Sequence, residues 1–263
     1  MEYVIVTGAY GGMGKATVEM LVKKGYGVFA FDKRVGGAQD GVIPVEVDTT
    51  SEESVNNAVK EVLKITPCVK GIIHFAGIYM LDSLVEISEE RFLRAFNVNL
   101  FGVYRINKAF LPLLKNGGRI IITSSELAPL DPLPFTGIYA ITKTALEKYA
   151  YSLRMEVQLL NVLVSVIRPG AVKTGLLKTS TDELDNFING TSLYKCNATR
   201  FKKIVNSVET KNVTPEKVAK KAFKALTAKR PKYLYNLNRN PLLILLNILP
   251  QRLQNFIIKC VLK

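Results

Sequence analysis

Val4-Ile5-Val6-Thr7-Gly8-Ala9-Tyr10-Gly11-Gly12-Met13-Gly14 is the stretch whose reading decides the fold. Residues 2–7 are apolar and β-branched and read as a buried strand, and the periodicity after the glycines predicts a helix to about residue 24. Glycines between strand and helix let the backbone turn tightly and let another group approach it closely. The free N–H groups of a helix start suit a pyrophosphate. Gly8, Tyr10, Gly11, Gly12, Met13 and Gly14 are therefore candidate nucleotide contacts. A glycine-rich turn says little by itself; its place after a first strand and before a helix is what gives it meaning.

Working outward, residues 27–31 form a second strand pattern ending at Asp32, about twenty residues past the glycine turn. A carboxylate there accepts both adenosine ribose hydroxyls and repels a 2′-phosphate, so NAD is the expected cofactor over NADP. Lys33 and Arg34 follow at once and offer a phosphate site that would make NADP the ligand instead. The strand pattern at 42–47 leads to Asp48 and Thr49, placed to meet an adenine, and then to a helix opening at Ser51. Residues 71–75 are another buried strand, ending at Ala76-Gly77, where small residues let a ring or ribose lie close. His74, the one histidine, is assigned to strand-end hydrogen bonding. Strands and helices alternating at this rhythm predict an α/β fold, a doubly wound parallel sheet with helices on both faces. Ligands of such sheets gather at the carboxyl ends of the strands.

Tyr139-Ala140-Ile141-Thr142-Lys143 sets a phenol and an ammonium four residues apart, on one helical face. A positive charge beside the phenol is expected to lower its pKa from ~10 toward the range of acid-base catalysis. The same spacing is common on solvated helices, so its meaning depends on its neighbours. One is the strand 118–125, ending in Ser124-Ser125, where a hydroxyl can donate to a substrate oxygen as charge develops. Another is Asn99, inside a helix expected over 89–115, which needs a polar partner if buried. The strand at 162–167 ends in Arg168-Pro169-Gly170-Ala171-Val172-Lys173-Thr174, which turns over the cofactor region and offers Val172 and Thr174 to a carboxamide or phosphate. Residues 171–213 are expected to act as a substrate lid, irregular from 175 onward and bearing Leu176, Leu177, Phe187, Ile188, Tyr194 and Phe201. A helix from Thr214-Pro215 to about 229 and a last strand at 232–237 complete a catalytic domain spanning 1–240.

Composition narrows the alternatives. The 263 residues supply one sizeable core, being 48 % hydrophobic. Cys68, Cys196 and Cys260 are far apart and form no Cys-x-x-Cys pair, so neither a disulfide framework nor a zinc site is expected. The start lacks a basic leader with an apolar run, and a cytoplasmic location is expected. The net charge of +14 is uneven: residues 216–263 carry 11 Lys or Arg against Glu216 alone, a net +10 that leaves +4 for the rest. No aromatic-interleaved basic motif marks a nucleic-acid reader. The tail 241–263 contains Leu242-Leu243-Ile244-Leu245-Leu246, too short to span a bilayer, and then Leu253, Phe256, Ile257, Cys260 and Val261 at helical spacing. That stripe lies on its own core, on a second subunit or on an anionic membrane surface.

With these residues in place the chain resembles the short-chain dehydrogenase/reductase family along nearly its whole length. The glycine turn at 8–14, Asp48, Ala76-Gly77, Asn99, Ser125, Tyr139-x-x-x-Lys143 and Pro169-Gly170 occur in family order. The resemblance implies a seven-stranded Rossmann-type sheet. It makes Tyr139 the acid-base group and Ser125 the carbonyl-polarising hydroxyl. Lys143 would bind the nicotinamide ribose and lower the Tyr139 pKa, and Asn99 would hold a proton-relay water. Two features depart from the pattern: His74-Phe75 stand where two asparagines are usual, and Ser125 lies one residue farther from Tyr139 than is commonest, with Ser124 as substitute. Leu249-Pro250-Gln251-Arg252-Leu253 is similar to a segment of the retinol and hydroxysteroid dehydrogenase branch. The implied activity is hydride transfer between a nicotinamide and a lipophilic secondary alcohol or ketone, by a homodimer. The rival readings are a cofactor-binding scaffold without turnover, and an epimerase or dehydratase with the same catalytic set.

Overall fold

The computed structural model describes residues 1–209 and 212–263, except for the side chains of 176–181 and 207–209. Seven strands form one parallel sheet: β1 (Tyr3–Thr7), β2 (Gly27–Asp32), β3 (Val42–Glu46), β4 (Val69–His74), β5 (Leu114–Thr123), β6 (Leu163–Pro169) and β7 (Leu234–Leu237). Their spatial order is β3-β2-β1-β4-β5-β6-β7, as expected of a doubly wound sheet. The winding reverses between β1 and β4, so the crevice beyond Thr7 and His74 is the fold's natural ligand site.

Successive side chains of a strand point to opposite faces, and both faces here are covered. Val4 and Val6 of β1 look toward α1 (Gly12–Lys23) and α8 (Pro215–Thr227), meeting Val18, Leu21, Val218 and Ala222. Ile5 between them looks the other way, with Phe29 and Phe31 of β2, toward α2 (Glu52–Leu63) and its Val55, Ala58 and Val62. Burial on both faces explains why these strands read as unbroken apolar runs. Ser51 caps α2 by accepting from the Ser54 N–H at 3.2 Å, and Glu52 and Glu53 occupy the positive end of the helix dipole.

The helix expected over 89–115 is broken. It consists of α3 (Glu89–Phe96), a π turn at Asn97–Phe101 that contains Asn99, and α4 (Gly102–Phe110). A short 3₁₀ turn, Leu111–Leu113, then ends it, because Pro112 has no N–H with which to continue an α-helix. Strand β5 consequently begins four residues earlier than its apolar run suggested. After it, α5 (Gly137–Val157) carries Tyr139 and Lys143. Its Leu146 and Ala150 pack on Ile120, Ile122, Val164 and Val166 of β5 and β6.

Residues 175–213 are not irregular, as expected, but largely helical: α6 (Gly175–Gly190) and α7 (Lys195–Glu209) fill most of the segment. Leu176 and Leu177, named for the lid, lie outside the described side chains. Phe187 and Phe201 close around Phe135, with ring centroids 4.8 and 5.6 Å away. Phe135 adopts φ 67°, a left-handed conformation that costs a bulky residue energy and that this aromatic nest holds in place. The tail folds as α9 (Pro241–Ile248) and α10 (Gln251–Leu262), and no helix of the described residues is long and apolar enough to cross a membrane.

Candidate active site

Two adjoining clefts open at the carboxyl ends of the strands, sharing Met13, Phe75, Gly77, Ile78 and Thr174 in their walls. The first is built on the glycine turn. Gly8 sits at φ +65°, and a Cβ there would meet the Ala76 backbone nitrogen at 2.6 Å, so β1 and β4 can approach only through glycine. A Cβ on Gly14 would strike the Gly8 carbonyl oxygen at 2.0 Å. Gly11 at the α1 N-cap has no side chain to satisfy the first N–H groups of the helix, and they face the cleft that Gly11, Gly12, Met13 and Gly14 line.

Asp32 and Lys33 line the same cleft. Asp32 Oδ2 accepts from the Tyr10 N–H at 3.1 Å and Oδ1 from the Lys33 N–H at 2.8 Å. Each carboxylate oxygen keeps lone-pair capacity for a hydroxyl. Lys33 is drawn aside: its ammonium pairs with Asp48 Oδ2 at 2.9 Å. Burial works against the Asp48 carboxylate, but hydrogen bonds from Thr50 and Lys33 hold its pKa below the usual range. Asp48 and Tyr10 therefore brace the cleft from behind, while Thr49, Ala76 and Gly77 line it.

The second cleft holds Ser125, Tyr139 and Lys143 together, with Pro169, Gly170, Val172 and Thr174 along one wall. Tyr139 is 8 % exposed and Lys143 6 %. Burial pushes the phenol up to about 12 against the opposing hydrogen bond with Ser125, which corrects the expectation of a lowered phenol. Burial likewise brings Lys143 down to about 8, partly offset by the field of Glu147 one turn along α5. Lys143 Nζ donates to the Thr123 carbonyl at 3.2 Å and lies 5.7 Å from the centroid of the Tyr139 ring. Glu147 is itself clamped by Arg168 at the end of β6, with Nε donating to Oε1 at 2.7 Å. Between the two serines geometry discriminates. Ser125 Oγ accepts from the Leu127 N–H at 3.2 Å and bonds Tyr139, whereas Ser124 Oγ, also in the wall, has no hydrogen-bond partner among the described residues.

Asn99 does not reach either cleft wall. Its Oδ1 accepts from the Ile78 N–H at 2.8 Å, and its Nδ2 donates to the Ile78 carbonyl at 3.0 Å and to Thr142 Oγ1 at 3.1 Å. The amide clamps the loop after β4 to α5, and both amide hydrogens are already engaged, so a relay water held by Asn99 would have to donate to one of its oxygens. Asn99 is the buried residue of the π turn, which inserts a residue into the helix. His74 points away from the clefts to Asn107, its Nε2 2.9 Å from Oδ1, and full burial lowers its pKa to about 4. Phe75, which stands where the family pattern has an asparagine, lines both clefts.

Several wall residues carried no sequence signal. Tyr79 packs on Tyr139 with ring centroids 4.6 Å apart. Leu133 from the proline-rich loop, Ile204 and Val205 from α7 and Leu243 from α9 make the second cleft predominantly apolar. Glu126, directly after Ser125, is 7 % exposed and accepts from the Asn240 N–H at 2.6 Å. Burial raises its pKa, opposed by that bond and by Arg239. A charged residue after a strand end reads as solvated, and only the return of the chain after β7 buries it.

A parallel sheet with this order, a glycine-turn cleft and a buried Ser-Tyr-Lys set beside it define a dehydrogenase-type nucleotide-binding fold. The chain belongs to the short chain dehydrogenase family of oxidoreductases, whose sequence model matches residues 2–185. It is similar to the 3-ketodihydrosphingosine reductase of Bacteroides thetaiotaomicron, 28% identical over 88% of this chain and 86% of that protein. It is also similar to the uncharacterized oxidoreductase YbbO of Escherichia coli K12, 30% identical over 97% and 93% of the two chains. Among solved structures, a short chain dehydrogenase family protein of Francisella tularensis superposes with TM-score 0.75 at 22% identity, over 90% of this chain and 96% of that one.

Proposed function

We propose that this chain transfers a hydride between a nicotinamide cofactor in the glycine-turn cleft and a lipophilic secondary alcohol or ketone in the apolar cleft beside it. The observation that carries this reading is the position of Ser125, Tyr139 and Lys143, a small polar set in the wall of an otherwise apolar cavity that adjoins the nucleotide-shaped one. The residues fit a dinucleotide. The uncapped start of α1 would take the pyrophosphate, Asp32 the adenosine ribose hydroxyls, and the 169–174 turn with Lys143 the nicotinamide end. When bound, that group supplies the hydride.

The protein's own part is the proton and the charge. In the reducing direction the Tyr139 phenol, protonated at neutral pH, gives its proton to the carbonyl oxygen as negative charge builds there. Ser125 donates a hydrogen bond to the same oxygen. The Lys143 ammonium stabilises the phenolate left behind and can pass a proton back to it, since burial has brought its pKa near neutrality. Asn99 acts as a positioning residue by fixing Ile78 and Thr142 on either side of the set. In the oxidising direction the same groups run in reverse.

NAD is preferred over NADP because Asp32 faces the cleft while Lys33 is spent on Asp48. The apolar cleft supports a steroid-, retinoid- or acyl-like substrate, and the 3-ketodihydrosphingosine reductase among the relatives accords with that class. Leu93, Phe101, Tyr104 and Ile141 stand exposed on α3–α5 and support pairing of two copies there.

One experiment tests the whole. NADH and NADPH are titrated separately into wild type and Tyr139→Phe, and turnover of both is measured on long-chain and steroid ketones. The expected result is tighter NADH binding to both proteins and turnover by wild type only. Undiminished turnover by Tyr139→Phe refutes the mechanism, and tighter NADPH binding refutes the Asp32 assignment.

A further inference from the structure

The apolar stripe of the tail faces outward. Helix α10 buries Gln254, Ile258 and Leu262, which follow one another at four-residue spacing, and sits on α7 through Ile258 and Leu262. Gln254 Nε2 donates to the Leu249 carbonyl at 2.8 Å, and Asn197 Nδ2 donates to the Leu262 carbonyl at 2.7 Å. At 3.6 residues per turn, the stripe of Leu253, Phe256, Ile257, Cys260 and Val261 centres roughly 130° round the helix from that seat, with Val261 nearest to it at roughly 60°. Leu253 is 43 % exposed, Phe256 63 % and Val261 51 %. Of the three supports open to this stripe, the protein's own core is thereby removed.

Helix α9 repeats the arrangement. Its Asn247 turns toward the proline-rich loop, where Oδ1 accepts from the Asp131 N–H at 2.6 Å. Leu242, Leu245 and Ile248 are left 69, 58 and 74 % exposed. Within the tail itself the charge has one sign, and an acid from outside, Asp131 of the proline-rich loop, meets it at Asn247. Arg252, Lys259 and Lys263 recur at seven- and four-residue spacing, which places them in one row along the edge of the apolar stripe, and all three are exposed. From Lys217 to Lys263 the chain contains no Asp or Glu at all.

We propose that α9 and α10 form a docking surface for an anionic lipid bilayer, with Leu242, Leu245, Ile248, Leu253 and Phe256 entering the headgroup boundary and Arg252, Lys259 and Lys263 meeting the lipid phosphates. Apolar protrusions edged by unopposed cations are what an interfacial helix presents to such a surface. A second copy of this chain fits worse, because two acid-free basic rows would have to face each other. The surface borders the apolar cleft: Leu243 on α9 lines the cleft while its neighbour Leu242 points out. The Asn240 N–H, bonded to Glu126 beside Ser125, fixes the start of α9 there. Docking would bring that cleft next to lipid. The inference rests on the tail alone and stands whether or not the proposed hydride transfer is correct.

The chain has no tryptophan, so Phe256→Trp introduces a single indole on the proposed face. Full-length protein carrying it is mixed with vesicles of phosphatidylcholine, or of phosphatidylcholine with 30 % phosphatidylglycerol, and followed by flotation and emission. The expected result is flotation and a blue-shifted indole with the anionic vesicles, weakened by raised salt. Phe256→Ser should weaken binding about tenfold, and neutralising Arg252, Lys259 and Lys263 to Gln about a hundredfold. No flotation at low salt overturns the proposal, as does flotation without a blue shift, which would mean another face adsorbs. Sedimentation velocity supplies the last control: dimerisation abolished by Phe256→Ser, with no vesicle binding, assigns the face to a second copy and overturns the lipid reading.

Discussion

Lys143→Met should make this protein more stable at neutral pH while abolishing its turnover. The ammonium is buried, and burial takes its pKa from an ordinary 10.5 to about 8. At about 1.4 kcal/mol per pH unit this is roughly 3 kcal/mol of unfavourable burial, borne in full below pH 8, where the group is charged in both folded and unfolded chains. Methionine keeps the length of the side chain and removes the charge, together with the hydrogen bond to the Thr123 carbonyl, a loss of about 1 kcal/mol. The net gain at pH 7 is about 2 kcal/mol, or about 4–8 °C in Tm for a chain of this size. The sign with pH follows from proton counting. Between about pH 8 and pH 10.5 unfolded wild type holds more protons at this site than folded wild type, so its stability climbs relative to the variant. The gap should therefore close, and reverse by about 1 kcal/mol, near pH 10.5. Thermal unfolding of both proteins at pH 7 and pH 10 isolates the effect, because every other titrating group is common to the pair. A variant less stable at pH 7, or a gap that does not shrink with pH, refutes an electrostatically strained Lys143.

Two other outcomes bear on the same site. Ser125→Ala should lower kcat by about 10²–10³-fold in steady-state assays of the ketone-reducing reaction, whereas Ser124→Ala should stay within a few-fold of wild type; equal losses would mean that the hydroxyl next to Tyr139 is not specifically used. Asn99→Leu removes the partner of the half-buried Ile78 N–H and carbonyl and of Thr142 Oγ1, and should cost about 2 kcal/mol, read as a fall in Tm of about 4–8 °C; a loss of turnover with an unchanged Tm would instead make Asn99 a direct participant.

The sheet was legible because parallel strands buried on both faces must be apolar at consecutive positions, and β1, β2, β4 and β6 are. The glycine turn was legible because Gly8 and Gly14 stand where any Cβ would collide with backbone, a constraint local enough to show in a short stretch. What could not be read was set by partners distant in sequence. The phenol pKa moved up because the walls around Tyr139, drawn from residues 79 and 125 as well as its own helix, exclude water, while sequence displays only the nearby lysine. Asn99 is buried in a π turn that carries no pattern of its own. Glu126 carries no local sign of burial, because its partner Asn240 lies 114 residues on.

The tail reverses the usual inference from amphipathic spacing. Period alone says that one side of α10 is apolar, and the ordinary consequence is that this side packs inward. Here the seat on α7 is made by Ile258 and Leu262 instead, beside Gln254, a buried amide that bonds the tail's own backbone. A helix with a second, smaller set of contacts can satisfy its own domain and still present its broad apolar stripe elsewhere. The acid-free stretch that carries this stripe also closes the apolar cleft through Leu243, so whatever covers the stripe lies beside the wall of that cleft. If the cover is a bilayer, a lipophilic ketone would reach Tyr139 from the lipid side, and an apolar cleft would need no long aqueous approach.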